Sequence, residues 1–498
     1  MPTDLVRLHA VFDLAMRVGV GLLANGAAAS EVTATVLRVT SSSGLRNVSV
    51  QVTFDEVIIS YLADESATPF TRVRAASART QNFARLAAFE DITHSYISGE
   101  LPLEEARRAA EAVPQTAPAH RLPLVVLGFA VMGGSLSLYF GADLLVFAAA
   151  TLASGLLTAA GEFLARMHIP PFYGQAFGGF LAVGVAVLVG LINPNVSSSI
   201  VVVSCIIVQL TGLASIGAVQ DAVTGWYVTA AGRMLETLML TVGIVAGVRG
   251  GMLLAEALGT DISVSAALPI SLMTIAWVVI AGLGMGLGFG VGTHVPWRML
   301  PWIAAVSLLS GMISHVVSGL FLERVYAVSI AAFVTGMVAV ALGDRLRAPT
   351  LVFVMGGVIP LVPGSLIYRG LLGLGDDVSS GAADVFSAGE IAVGIAAGLV
   401  LGQLLAARIV PYFRRSDIAY TPSISSPFTT LRRRRLSLGS RGRRRRDGQQ
   451  VVEPSTMTGE MTALSPSMFE DLEDLHVLQD LDPPHDEPGR RTDSEENS

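Results

Sequence analysis

Between Leu122 and Ala407 the chain repeats one pattern, a run of 17 to 23 mainly apolar residues closed by a short polar break. Ten such runs occur, at 122–140, 144–164, 172–192, 196–217, 235–254, 268–290, 300–320, 325–342, 351–372 and 391–407. Each is long enough to cross the roughly 30 Å hydrocarbon core of a bilayer as a helix. The pattern predicts a polytopic α-helical membrane protein whose ten spans fall into two sets of five.

The flanks differ. In residues 1–120, Leu5–Leu23 has helical spacing, Ser30 and Glu31 open a second helix through Val39, and Gly44 stops it. Val48–Thr53 and Val57–Leu62 have strand character, with Phe54-Asp55-Glu56 as the turn and Phe70–Val73 as a third strand. Thr80–Ile97 and Leu103–Val113 are helical again, and Pro114, Pro118 and Pro123 lead into the first span. This predicts a soluble α/β domain. Asp4, Arg7, Asp13 and Arg17 interrupt any apolar stretch near the start, so no cleavable signal is expected. From Ser416 onward the chain is rich in Ser, Pro, Arg and acidic residues without a buried-face pattern, and disorder is expected. The predicted organisation is 1–120 soluble domain, 121–257 first membrane half, 258–410 second half and 411–498 tail.

Composition sharpens this reading. A mean hydropathy of +0.59 with 15% charged residues excludes a string of soluble domains. The single cysteine, Cys205, lies in the fourth span and excludes a disulfide framework or a cysteine zinc site. All 33 basic residues are arginine, which a coding bias explains.

Arginine also sets the orientation, because positive charge near span ends stays in the cytoplasm. Arg121, Arg166, Arg298, Arg345, Arg347, Arg408, Arg414 and Arg415 lie on the side of both termini. Among the opposite loops only Arg324 is basic, beside Asp143, Glu256, Asp261, Glu323, Asp376, Asp377 and Asp384. Both termini are therefore placed in the cytoplasm. Two five-span halves would have opposite orientations, making them candidate inverted repeats of the kind found in secondary transporters.

Three places carry candidate chemistry. Asp221 precedes the fifth span, where Arg233 and Glu236, three apart on a helix, can pair; Glu236 is expected to lie deepest and is the preferred ionisable group. The ninth span contains Gly356-Gly357, Pro360, Pro363 and Gly364, which cannot form one regular helix. A break there frees a half-helix N-terminus able to receive a carboxylate. Asn193-Pro194 at the mouth of the fourth span is its first-half counterpart, a terminal break. Asp344 after the eighth span and Glu390 opening the tenth are further carboxylate candidates.

Other signals are weaker. His9, His94, Asp55, Glu56, Asp64 and Glu65 lack any nucleophile-elbow, phosphate-loop or metal spacing, so a solvated acidic turn outweighs a hydrolase site. The nine arginines of Arg432–Arg446 suit a topology anchor or contact with anionic lipid; the acidic tail beyond them disfavours nucleic acid.

Four segments together resemble the threonine/serine exporter family. They are Gly19–Val32 (GVGLLANGAAASEV), Thr71–Arg74, Asp221-Ala222-Val223-Thr224-Gly225 with Arg233 and Glu236, and Pro360-Leu361-Val362-Pro363-Gly364. The resemblance covers roughly residues 10 to 410. It implies a carrier in the cytoplasmic membrane that exports threonine and serine in exchange for protons, with no bound cofactor and no enzymatic activity. Its partners would be these amino acids, protons and the bilayer, with homo-oligomerisation left open. The rival classes are a membrane-anchored hydrolase and a passive channel or sensor.

Overall fold

The computed structural model describes residues 2–63, 68–76, 80–193, 198–209, 212–257, 275–320, 323–373 and 378–413. Several expectations lie outside these residues: Pro194, Asp64 and Glu65, Asp261, Asp376 and Asp377, the junction at 257/258, and the tail with Arg432–Arg446.

The N-terminal part begins with two helices, α1 (Pro2–Ala24) and α2 (Ala29–Ser42), followed by strands β1 (Val48–Thr53), β2 (Glu56–Tyr61) and β3 (Phe70–Ala75). The strands form an antiparallel meander in the order β1-β2-β3, with Val52 opposite Val57 and Ile58 opposite Val73. Helices α3 (Phe83–Ile97) and α4 (Leu103–Ala112) complete it. The core is formed by Phe12, Val18, Leu22, Val36, Ile59, Leu86 and Phe89, all fully buried. Each such side chain contributes on the order of 1.5–3 kcal/mol relative to exposure. Asp13 ties three elements together, accepting from Arg17 at 2.8 Å within α1 and from Arg107 of α4 at 3.2 Å, with Arg72 of β3 at 3.9 Å. Partial burial raises the Asp13 pKa, but the bonds and charges of Arg17 and Arg107 outweigh it and hold the carboxyl below its ordinary value.

Helices α5 (Leu122–Tyr139), α6 (Leu144–Arg166) and α7 (Pro171–Ile192) follow, then α8 (Ser198–Gln209), α9 (Gly212–Val223) and α10 (Tyr227–Ala257). The second half has α11 (Ile275–Gly292), α12 (Leu300–Gly319), α13 (Arg324–Leu346), α14 (Thr350–Val358), a 3-10 turn over Ile359–Leu361, α15 (Gly364–Gly373) and α16 (Val378–Phe413). Among the described residues seven helices are long and apolar enough to cross a bilayer; Ser198–Gln209, Ala276–Gly292 and Thr350–Leu361 are shorter apolar helices. Leu144, Leu188, Ile192, Leu235, Leu253, Phe386 and Leu401 point outward. Large apolar side chains in such numbers on an outer surface suit lipid rather than water. The chain is a mostly helical, polytopic membrane protein.

The fourth span is described over α8 and α9, with 210–211 between them outside the described residues. Asn193 closes α7, its N–H donating to the Val189 carbonyl at 3.0 Å. Two helix starts differ from the sequence expectation. Helices α10 and α16 start well before their apolar runs, so Ala231–Arg233 and Gly389-Glu390 lie inside helices and do not open them. The N-terminal part and the helices through Phe413 belong to one compact unit.

Glycine stripes bring the long helices together. On α10, Gly243, Gly247 and Gly251 sit against the backbone carbonyls of Phe172, Ala176 and Phe180 of α7. On α16, Gly398 and Gly402 sit against those of Ser329 and Phe333 of α13. A side chain at Gly243, Gly247, Gly398 or Gly402 would collide with backbone, which has no rotamer to yield, and one at Gly251 would press on Val183. The neighbour pattern is the same in both halves. Helix α6 touches α5, α7 and α8 as α12 touches α11, α13 and α14, and α9 meets α10 as α15 meets α16. Helices α5 and α11 pack on each other across the halves.

The loop between α11 and α12 joins the N-terminal part. Phe83 N–H donates to the Thr293 carbonyl at 3.1 Å, and His120 Nε2 donates to the Val295 carbonyl at 2.8 Å. The His120 backbone N–H approaches His294 Nδ1 at 3.4 Å, which requires that nitrogen to be unprotonated. Burial lowers the His294 pKa below its ordinary 6.5; the nearby His120 and Arg85 add to the effect and Glu162 opposes it. The neutral ring therefore fits the docked loop. A lowered pKa means that the stabilisation is complete above 6.5 and declines as the pH falls below it. Amide exchange at Phe83 and His120 should accelerate on acidification relative to a His294→Asn variant, which keeps a residue tolerant of the positive φ of 61° there. Identical pH profiles in both proteins would remove His294 as the cause.

Candidate functional site

Helix α2 begins without a side-chain cap, because its N-cap residue is Ala28. Its first amide, Ala29 N–H, donates instead to Asp221 Oδ1 at 3.0 Å, a carboxylate 192 residues away at the end of α9. Asp221 Oδ2 accepts from Arg233 Nη1 at 2.6 Å, and Arg233 Nη2 donates to the Ala27 carbonyl at 2.9 Å. Asp221 is fully buried and Arg233 is 6% exposed. One ion pair thus satisfies both a donor and an acceptor at the start of α2, where the helix dipole favours a negative group.

The β1–β2 hairpin reaches the same place. Phe54 occupies its tip at φ 47°, left-handed backbone that costs a bulky residue energy. Its position is fixed by α10. Phe54 N–H donates to Thr229 Oγ1 at 3.3 Å, and Thr229 Oγ1 donates to the Val52 carbonyl at 2.9 Å. A Cβ at Gly232 would lie 2.7 Å from the Phe54 ring, so only glycine lets the ring lie on α10.

Two carboxyls border this latch. Glu31, in the first turn of α2, faces Glu90 of α3 across a side-chain hydrogen bond. Enclosure by protein pushes the Glu31 pKa up; the Glu90 bond and the Arg38 charge oppose this, and the Asp221 charge adds to it. From sequence Glu31 is only a helix-start residue and Glu90 carries no signal at all.

The structure alters the expected pairing. Asp221 lies in helix α9, not in a loop, and takes the guanidinium that local spacing would give to Glu236. Asp221, not Glu236, is the deeply buried carboxylate; Glu236 is half-buried one turn beyond Arg233. Asp344 is buried in the last turn of α13, whereas Glu390 is exposed on α16.

The second arrangement is the interruption of the ninth span. Helix α14 passes into the 3-10 turn containing Pro360, and α15 restarts at Gly364 after Pro363. Pro360 and Pro363 bring no N–H, so carbonyls of the preceding turn lose their helical donors while the first amides of α15 are left without helical acceptors. These two ends have opposite partial charge. The break touches both halves: a Cβ at Gly364 would overlap the side chain of Ile207 in α8, and one at Gly311 of α12 would lie 3.4 Å from Pro360. The broken ninth span therefore meets α8 of the fourth span. Among the described residues no cluster suited to a metal ion occurs.

Family models described as threonine/serine exporter match residues 13–255 and 277–405. A Corynebacterium glutamicum protein named "Threonine/serine exporter" is 31% identical over 418 residues, 82% of this chain and 84% of its own length. The chain belongs to the threonine/serine exporter family. A Mycobacterium tuberculosis protein named "Probable threonine/serine exporter" is 28% identical over 411 residues, 81% of this chain and 78% of its own. No solved structure matches the chain. Membership places it among transporters, not enzymes. The first family model takes in the latch, the second the broken ninth span.

Removing one member of a buried pair strands the other charge, at a cost of about 3–5 kcal/mol. Arg233→Met should therefore lower the thermal stability of the purified protein sharply and expose the α1–α2 corner to protease. The double variant Asp221→Asn/Arg233→Met should recover much of that stability. Equal loss in the double and single variants would mean that the pair is not the constraint on this interface.

Proposed function

We propose that this chain exports threonine and serine across the cytoplasmic membrane as a proton-driven secondary carrier. The observation that carries the reading is the meeting of the broken membrane segment α14/α15 with the segment that contains α8, at Gly364 and Ile207. Each is the fourth segment of its half, and the shared neighbour pattern supports ten crossings arranged as two inverted five-span repeats. Both termini then lie in the cytoplasm. In agreement with this, the N-terminal part packs on the segments around Asp221–Arg233 and Thr293–Val295, which the arginine distribution also assigns to that side.

An amino acid carries a carboxylate and an ammonium a few ångströms apart. The break in the ninth span offers the complementary ends, amides at Gly364 and Ser365 for the carboxylate and freed carbonyls near Pro360 for the ammonium. Proton coupling needs a carboxylate with intermittent access to water. Glu236 suits this role, being half-buried on α10 beside the latch, whereas Asp221 is held by Arg233 and Glu390 faces outward. Asp344 is the next candidate. The Asp221–Arg233 latch would hold the cytoplasmic entrance, and Asn193 would serve only as a helix end.

Cells preloaded with threonine should release it faster when they make this chain, and a protonophore should abolish the difference. Glu236→Gln keeps the shape but cannot titrate, so it should reach the membrane normally and lose net export or its pH dependence. Export unaffected by collapse of the proton-motive force would exclude a proton-driven carrier. Parental behaviour of well-inserted Glu236→Gln would move coupling to another carboxylate.

A further inference from the structure

Serine and threonine hydroxyls inside a membrane helix usually bond back to a carbonyl one turn earlier. Here Ser137 bonds to Gly134, Thr151 to Phe147, Ser329 to Val325 and Thr335 to Ala331 in this way. Ser307 and Ser310 of α12 do not. Both are fully buried, and neither hydroxyl has a partner among the described residues. An unpaired buried hydroxyl is costly, so two on one helix face need an explanation.

Their place in the fold supplies it. Ile303, Ser307, Ser310, Gly311 and Ser314 share one face of α12 by helical period. That face lies on the interrupted ninth span: a Cβ at Gly356 would overlap the Ile303 side chain, and Gly311 adjoins Pro360. Ser307 sits between these two contacts, one turn from each, and Ser310 is next to Gly311. On the other flank of the break, Ser204 of α8 is also fully buried with an unpartnered hydroxyl, one turn from Ile207, which packs at Gly364.

The first half gives an internal comparison. Ser154 of α6 lies beside Gly133 of α5 as Ser307 of α12 lies beside Gly286 of α11. The Ser154 hydroxyl is occupied, with Cys205 Sγ at 3.8 Å. Only in the half with the proline break is the corresponding hydroxyl left open.

We propose that Ser307 and Ser310 recognise the side-chain hydroxyl of the transported amino acid at the break in the ninth span. A hydroxyl both donates and accepts, and two serine oxygens can supply one bond of each kind. The helix ends at the break hold the groups common to all amino acids, while these serines select for the hydroxyl. A site built to bond a hydroxyl discriminates against an analogue without it because its own groups are then left unpaired. The assignment rests on the export reading above.

The test compares efflux of threonine and of 2-aminobutyrate, the same molecule without the hydroxyl, from cells making the parent or Ser307→Ala/Ser310→Ala. The parent should prefer threonine by at least about tenfold, and the double variant should lose most of that preference through slower threonine efflux. Because the removed hydroxyls bond none of the described residues, the thermal stability of the purified variant should be unchanged or higher. A parental preference in the double variant, or a clear fall in its stability, overturns the assignment. A parent that moves neither compound overturns the export reading itself and the assignment with it.

Discussion

One buried ion pair governs how the N-terminal part of this protein meets its membrane helices. Asp221 and Arg233 stand on consecutive helices, α9 and α10, and together hold both backbone groups at the α1–α2 corner. Neither charge could be buried alone, and the corner could not leave its amide and carbonyl unpaired. Each solves the other's difficulty. The hairpin tip at Phe54 and the bare backbone of Gly232 complete a contact in which any movement of α9 or α10 is felt by α2 and the sheet. The Glu31–Glu90 pair lies at the same junction.

Within the bilayer the constraint is different. Lipid tails solvate leucine as well as another helix does, so association depends on close backbone approach. The glycine stripes of α10 and α16 provide it, each against the third helix of its own half. The result is two rigid pairs, α7 with α10 and α13 with α16. The segment α14/α15 is interrupted at Pro360–Gly364, where the backbone is no longer committed to helical bonds.

Buried polarity is distributed in keeping with this division. Several hydroxyls on the spans are turned back to their own helix, whereas those of Ser204, Ser307 and Ser310, near the break, have no partner among the described residues. The loop around His294 adds a titratable contact at the face where the N-terminal part docks.

Much of this was legible in the chain before folding. Apolar run length predicts membrane helices because a bilayer admits few other structures. Alternation with β-branched residues predicts β1 and β2, and Pro360 with Pro363 predicts an interrupted ninth span, since both effects are local. What local rules could not supply was partner choice. Spacing of three residues points Arg233 to Glu236, but the guanidinium goes to Asp221, because only tertiary folding brings an uncapped α2 to that point. Glu90 or Ser310 resemble any other helical residue until their neighbours are known. Sequence determined where the chain is helical, apolar or broken, because those properties depend on neighbours within a turn or two. The tertiary structure alone decided which charges pair and which hydroxyls stay open, because burial and distance between remote segments exist only after packing.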